Sequence, residues 1–358
     1  MNYIDNIHPV STPAPCRRRM PAEWEHSGAV MIAWPHADTD WAYMLDEVTA
    51  CYCDIARAIT DSGAILVVAA PDIAIPKKHL ADIDNSRIIF CQVATNDTWA
   101  RDFGPITVTD SDGTTRLLDF CFNGWGLKFA ACLDNLITSK LSGASLFRAP
   151  LENHLGFVLE GGSIESDGRG TILTTSECLM SPNRNGDLSR QQIEQYLRSA
   201  LGAERVLWVG HGYLAGDDTD SHIDTLARLA PDDTILYVKC DNPHDEHYNA
   251  LSLMEQDLMA MRTPNGLPYN LIALPMPDPI YDEDGQRLPA TYANFFITDT
   301  SVLLPVYGQP ANDRLAAQIM NIAFPGRRIL TVDCRPLIRQ HGSLHCVTMQ
   351  LPSEILPI

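Results

Sequence analysis

Positive charge is scarce in this 358-residue chain: 26 Lys and Arg stand against 45 Asp and Glu, a formal net charge of −19. Without a basic excess to displace phosphate counterions, nucleic-acid binding is not expected. Long apolar runs are missing as well. No stretch approaches the roughly 18 residues of a membrane span, and "MNYIDNIHPVSTPAPCRRRM" holds no apolar segment of signal-peptide length. Gly/Ser linkers, charge blocks and low-complexity tracts are absent, so no domain boundary is marked. There is no P-loop, and "GHGYLAG" around His211 lacks the spacing of a dinucleotide-binding turn. "PHDEHY", with His244 and His247, fits no zinc-peptidase spacing. "CYC" at Cys51 to Cys53 reads as helix, where its cysteines are poorly placed to share a metal. No metal and no cofactor are expected.

What the chain does have is apolar content, 45% of residues, enough for a large core. Length alone suggests about two domains. Ten cysteines, scattered through a chain too long to need stapling, read as reduced thiols and a cytoplasmic location. The Pro-rich opening, about residues 1–19, reads as a flexible lead-in. An acidic field of this size attracts small cations.

Element order recurs along the chain. "GFVLEGGSIESDGRGTILTT" reads as two short strands about an Asp-Gly turn. A helix follows, "LSRQQIEQYLRSALGA", capped by Asp187 or Ser189 and stopped near Gly202, and then the strand "RVLWVG". The same order returns in "HIDTLARLAPDDTILYVKC", a helix from about His247 to Arg262 and "NLIALPMP". It returns again in "ANFFITDTSVLLPVYG", a helix from about Asn312 and "RRILTVDC". Upstream, "GPITVTDSDGTTRLLDFCF" leads to a helix around Ala130 to Ser142 and to "ASLFRAP". The last unit is split across the termini: "AVMIAW", a helix around Asp40 to Thr60 and "AILVVAA" would be completed by "LHCVTMQL". Five such units at a period of tens of residues suggest a radial array and one closed domain over residues 1–358.

Reactive residues recur at similar places in these units. Asp102 precedes its first strand, Glu160 lies in "FVLEGGS", His222 and Asp224 open the next unit, Asn294 the one after, and Cys346 sits in the closing strand. In a radial array, equivalent positions converge on the axis, where these groups would ring one pocket. Of eleven histidines, His222 is the best candidate base, because Asp224 at i+2 on a strand would share its face. By the same alternation His345 would face away from Cys346. Asp217, Asp218 and Asp220 read as turn formers.

Carboxylates beside a cysteine are chemically awkward, since negative charge makes the thiolate scarcer. The site makes sense if the substrate brings the missing positive charge. A guanidinium is planar, always charged and gripped in a fork by carboxylates. Once bound, it would help ionise Cys346 and set its carbon above the sulfur.

The words "MPAEWEHSGAVMIAWP", "NDTWARDFGP", "FNGWGLKF", "LEGGSIESDGRGTILTT", "DDTDSHIDTLAR" and "SLHCVTMQ" resemble, in order and over nearly the whole chain, the agmatine deiminase and bacterial peptidylarginine deiminase family of guanidino-group-modifying (pentein) enzymes. The resemblance implies an α/β fold, a five-bladed α/β propeller. It implies Cys346 as nucleophile, His222 as general acid/base, Asp102 and Asp224 as the carboxylates gripping the guanidinium, and Glu160 as the acid orienting the histidine. Trp99 and Asn294 match pocket positions; Asp97 and Trp125 are further candidate substrate contacts, and either Trp99 or Trp125 could give an amine-bearing guanidine a cation–π face. The implied reaction converts a guanidine to a ureido group with release of ammonia.

Agmatine, an amine with no carboxylate, suits an acidic pocket; its product would be N-carbamoylputrescine, on a route to polyamines. Free or peptidyl arginine is the alternative, and "QHGSLHCVTMQ" departs from the agmatine-specific pattern around the cysteine. A papain-like peptidase would need its histidine after the cysteine, where only twelve residues remain. An amidino transferase would differ only in the second acceptor, and a non-catalytic guanidinium binder would not need nucleophile, acid and base together. The partner expected is a small cationic guanidinium compound, with copies of the same chain an open option; nucleic acid and membrane are not expected.

Overall fold

The computed structural model describes residues 18–357. It is a five-bladed α/β propeller built from five small sheets. Three-stranded blades are formed by Ile106–Thr109, Thr115–Cys121 and Leu151–Val158; by Ile164–Ser166, Thr171–Thr175 and Arg205–Val209; by Ala227–Ala230, Thr234–Lys239 and Asn270–Pro275; and by Phe296–Ile297, Ser301–Val306 and Arg328–Asp333. In each, the first strand runs antiparallel to the second and the third parallel to it. The remaining blade joins the chain ends: Met349–Pro352 pairs antiparallel with Gly28–Ala33, which pairs parallel with Ile65–Ala70.

A parallel neighbour requires a crossover, and a helix supplies each one. The helix Leu45–Asp61 buries Val48, Tyr52, Ile55 and Ile59, one face at helical spacing. Each such side chain contributes about 1.5–3 kcal/mol relative to exposure. The helix Arg190–Leu201 starts on a reciprocal Ser189–Gln192 capping box and stops at Gly202, at φ +72°. A Cβ there would lie 1.8 Å from the Arg18 carbonyl oxygen, so only glycine fits. No described helix is long and apolar enough to cross a membrane.

The fold departs from the sequence-based expectations at four places. "ASLFRAP" is not a strand: Ser145 takes φ +62° and the Arg148 N–H donates to Ile355 O instead of a ladder, so pairing begins at Leu151. The split blade carries a fourth strand, Ile88–Gln92, reached through the helix Ala74–His79, which the repeat did not call for. Cys346 lies in a turn before Met349, not within the strand, and His222 lies just before the short 3-10 turn Ile223–Thr225 rather than on a strand. Most of the Pro-rich lead-in lies outside the described residues, but Arg18 and Arg19 are placed. Arg18 binds Asp110 and Glu152 at 2.9 and 2.8 Å, and Arg19 bridges to Thr109.

Candidate active site

The functional groups share one structural position. Asp102, Glu160, Asp224, Asn294 and Cys346 all sit in the short turn that leads into the first strand of their blade. These turns link into a ring. Arg101 N–H donates to Cys346 O at 3.1 Å, Gly162 N–H to Asp102 Oδ1 at 3.0 Å, and Leu229 N–H to Glu165 Oε2 at 3.1 Å. Asn294 Nδ2 donates to Asp224 O at 3.4 Å, and His345 N–H closes the ring on Asn294 O at 3.1 Å. Five turns thus carry five functional groups to one centre.

Cys346 is 6% exposed. Its Sγ lies 3.4 Å from Asn294 Oδ1 and 4.0 Å from Asp224 Oδ2. Asn294 is fully buried beneath this turn, and its Oδ1 also accepts from His345 and Cys346 N–H at 2.9 and 3.3 Å. Burial, Asp224 and Asp102 push the Cys346 thiol well above the ordinary range, as carboxylates beside a cysteine must.

Asp102 and Asp224 face the same space. Asp102 accepts from Gly162 N–H through Oδ1 and from Trp125 Nε1 through Oδ2 at 2.8 Å. Asp224 accepts from His345 Nδ1 through Oδ2 at 2.7 Å, while its Oδ1 is buried without a partner. Burial and the Asp224 charge push the Asp102 carboxyl well up. Burial acts the same way on Asp224, but the hydrogen bond and charge of His345 outweigh it and hold that carboxyl below the usual range. His222 Nδ1 lies 3.7 Å from Asp102 Oδ1. Burial pushes the His222 imidazole down to about 3, so the ring is neutral near pH 7.

Gly162 sits among these groups. A Cβ there would lie 2.7 Å from His222 Nδ1, 2.9 Å from Asp102 Oδ1 and 3.0 Å from Asp224 Oδ2. Glu160 gives both oxygens to Arg184 Nε, at 2.8 and 3.1 Å, with His222 within 4.8 Å. Arg184 also binds Asp220 and the Thr219 carbonyl, so Asp220 ties its turn to the site as well as shaping it. Asp217 is a turn former, accepting from Thr219 and Ser221 N–H.

A cleft of about 450 Å³ opens onto Cys346 and Asp102. Trp99, Trp125 and Phe129 give it aromatic walls, and Asp40, Asp97 and Asp218 give it acidic ones. Trp99 and Trp125 meet edge to face at 6.3 Å. Trp99 Nε1 donates to Asp97 Oδ2 at 3.0 Å, leaving Asp97 Oδ1 buried without a partner. Burial pushes the Asp97 carboxyl up to about 7. Trp125 holds left-handed backbone, φ +54°, to aim its N–H at Asp102; the flanking Gly124 and Gly126, both at positive φ, permit it. No Lys or Arg lines this cleft among the described residues.

Among the described residues, two groups of side chains have metal-ligand spacing: Glu160, Cys178 and His222, and Glu23, Glu165 and His345. In both, the carboxylates are already held by a guanidinium, Arg184 in the first and Arg228 in the second. Sequence reasoning missed Arg184, Arg228, Glu165, Glu23 and His345 as parts of the site. An arginine buried to 0% exposure, as Arg228 is, shows itself only once folding has removed the water around it.

Residues 19–352 match the Porphyromonas-type peptidyl-arginine deiminase family. A provisionally named agmatine deiminase from Legionella pneumophila (strain Philadelphia 1) is 35% identical over 94% of this chain and 95% of its own length. Among solved structures, a provisionally named arginine deiminase from Porphyromonas gingivalis is 50% identical, with a TM-score of 0.90 over 95% of this chain and 99% of its own. A variant of the C. jejuni agmatine deiminase with substrate bound is 36% identical, with a TM-score of 0.87 over 94% and 96%. With the ring of pre-strand turns, its buried cysteine and carboxylates, and a match across nearly the whole length, this chain belongs to the Porphyromonas-type peptidyl-arginine deiminase family of pentein enzymes.

Proposed function

We propose that the protein hydrolyses agmatine to N-carbamoylputrescine and ammonia, as one catalytic unit with Cys346 as nucleophile. The observation that carries the substrate is the cleft itself, acidic and aromatic with no Lys or Arg to receive a carboxylate among the described residues. The names of the Legionella and C. jejuni relatives support it. Nine described cysteines are free thiols, which supports work in a reducing compartment such as the cytoplasm.

Asp102 and Asp224 grip the guanidinium from two sides, and the arriving charge removes the penalty on ionising Cys346. The thiol proton passes to His222, kept neutral by burial and therefore able to accept it. The sulfur adds to the guanidinium carbon, His222 returns the proton to the departing nitrogen, and ammonia leaves a thiouronium on Cys346. Water, activated by His222, adds to that carbon. Collapse breaks the C–S bond, frees the ureido product and restores the thiol. Holding the reacting atoms in line supplies several of the kcal/mol required, on the order of 7–11 in favourable cases. Asn294 positions the cysteine turn, Glu160 and Arg184 back the histidine side, and Trp99, Trp125 and Asp97 receive the rest of the substrate.

Deimination of free or peptidyl arginine is the second reading, favoured by the higher identity to the Porphyromonas gingivalis protein. Ammonia release from agmatine, arginine and a peptide ending in arginine, beside Cys346→Ala, decides between them. Agmatine is expected to be turned over far faster than either, with no turnover in the variant. Activity surviving in Cys346→Ala would overturn the mechanism, and arginine outpacing agmatine would overturn the substrate.

A further inference from the structure

His345 precedes the nucleophile yet turns its side chain the other way, into a charged network beneath the site. It is 1% exposed. Its Nδ1 lies 2.7 Å from Asp224 Oδ2 and its Nε2 lies 2.6 Å from Glu23 Oε2. Both partners are carboxylate oxygens, and a ring protonated at both nitrogens would donate to each of them. Arg228 Nη2, 3.0 Å from Nε2, donates to the same Glu23 oxygen at 2.9 Å, so ring and guanidinium converge on one acceptor. Arg228 binds Glu165 as well and is fully buried.

We propose that His345 is a positioning residue: seated between Asp224 and Glu23, it keeps Asp224 charged and aimed as the first arm of the guanidinium clamp. This rests on the reading of Asp102 and Asp224 as that clamp. Asp224 faces His345, His222, Arg228 and Arg101 on the positive or neutral side, and Asp102, Asp217 and the Cys346 thiol on the negative side. His345 itself faces Asp224, Glu23, Glu165 and Arg228. Among the described residues, His345 is the basic side chain in direct hydrogen bond with Asp224.

The consequence is an asymmetric clamp. Two carboxylates around an empty site repel each other, and one is expected to take up a proton. His345 decides which. Asp224 stays charged and draws the cation in, and Asp102, held neutral until then, releases its proton to solvent through the cleft as the guanidinium arrives. Glu23 anchors the far side of the ring, and its own position is fixed by Arg228 and by the Ile297 N–H, 2.8 Å from its Oε1.

His345→Gln keeps a donor for Asp224 and removes the charge. Agmatine hydrolysis followed from pH 6 to 9 should show KM at pH 7 raised about tenfold, with kcat changed less than about threefold. Without that charge the Asp224 carboxyl should titrate inside the measured range, so that an acid limb appears in kcat/KM and the gap to the unaltered enzyme narrows at pH 9. A loss equal at every pH, or borne by kcat, would mean support of the turn alone and would overturn the proposal. Should the variant not fold, nitrogen NMR of the unaltered protein with 15N-labelled histidine decides. Two protonated ring nitrogens on His345 at pH 7 are expected, and one bare nitrogen overturns the proposal. The NMR result stands even if no guanidine is hydrolysed, so failure of the proposed function is told apart from failure of this inference.

Discussion

Gly162 occupies the one point from which a single added methyl group would touch His222, Asp102 and Asp224 together. Its φ is not left-handed, so Gly162→Ala adds no backbone strain, but its methyl group must displace these buried side chains. We expect kcat/KM to fall by about 10²-fold or more, the scale of losing a well-placed acid or base, with a stability loss of about 1–3 kcal/mol from overpacking. Near-normal turnover would show that the guanidinium does not sit there. Cys346 gives a second expectation. Burial, with Asp224 beside it, holds its thiol well above the ordinary range, so the thiolate should be almost undetectable by ultraviolet absorbance at pH 7 before substrate is added. In a His222→Asn background, which blocks turnover, adding agmatine should raise that signal; an unchanged titration would remove the substrate-assisted step. Cys346 and His222 were legible as candidates because few residue types can fill the roles proposed for them. Their partners were not: His345 reads as turned away from Cys346, as it is, and only the folded turn at Leu344 to Val347 shows that both reach Asp224.

The turns that precede each blade matter more than the strands after them. The turn carrying Asp97 and Trp99 is pinned by Asp134, whose carboxylate accepts from Asn96 N–H at 2.6 Å and from Asp97 N–H at 3.1 Å. Burial pushes the Asp134 carboxyl up to about 7, against about 3.9 in an unfolded chain. A group raised in the folded state contributes stability that is fully present below the unfolded value. That contribution is lost as pH rises through the folded one, by up to about 1.4 kcal/mol per pH unit. Asp134→Asn cannot titrate, so its melting temperature should fall less steeply between pH 5 and 8 than that of the unaltered protein. Equal slopes would contradict the assignment. Strand pairs and crossover helices were legible from periodicity and caps, as with Ser189 and Gly202. The edge strand Ile88–Gln92 was not, because it extends the blade beyond the repeat that organised the rest.

Over the whole molecule the ring is closed by two segments from opposite ends of the chain, Gly28–Ala33 and Met349–Pro352. The net charge of −19 surrounds that ring with a field that attracts a cationic substrate before contact. Raising ionic strength from about 0.01 to 0.5 M shortens the Debye length from roughly 30 Å to a few ångströms. kcat/KM for agmatine should therefore fall several-fold while kcat holds; a salt-independent kcat/KM would mean that the acidity serves only solubility. The repeat, the reactive residue types and the sign of the substrate's charge were all present in the order of residues, because they follow from local periodicity, side-chain chemistry and composition. The meeting of Glu23 and His345, more than three hundred residues apart, at 2.6 Å beneath Asp224 was not, because it needs the folded ring. Which carboxylate stays charged depends on burial and on cations brought from other blades, and neither exists until that ring has closed.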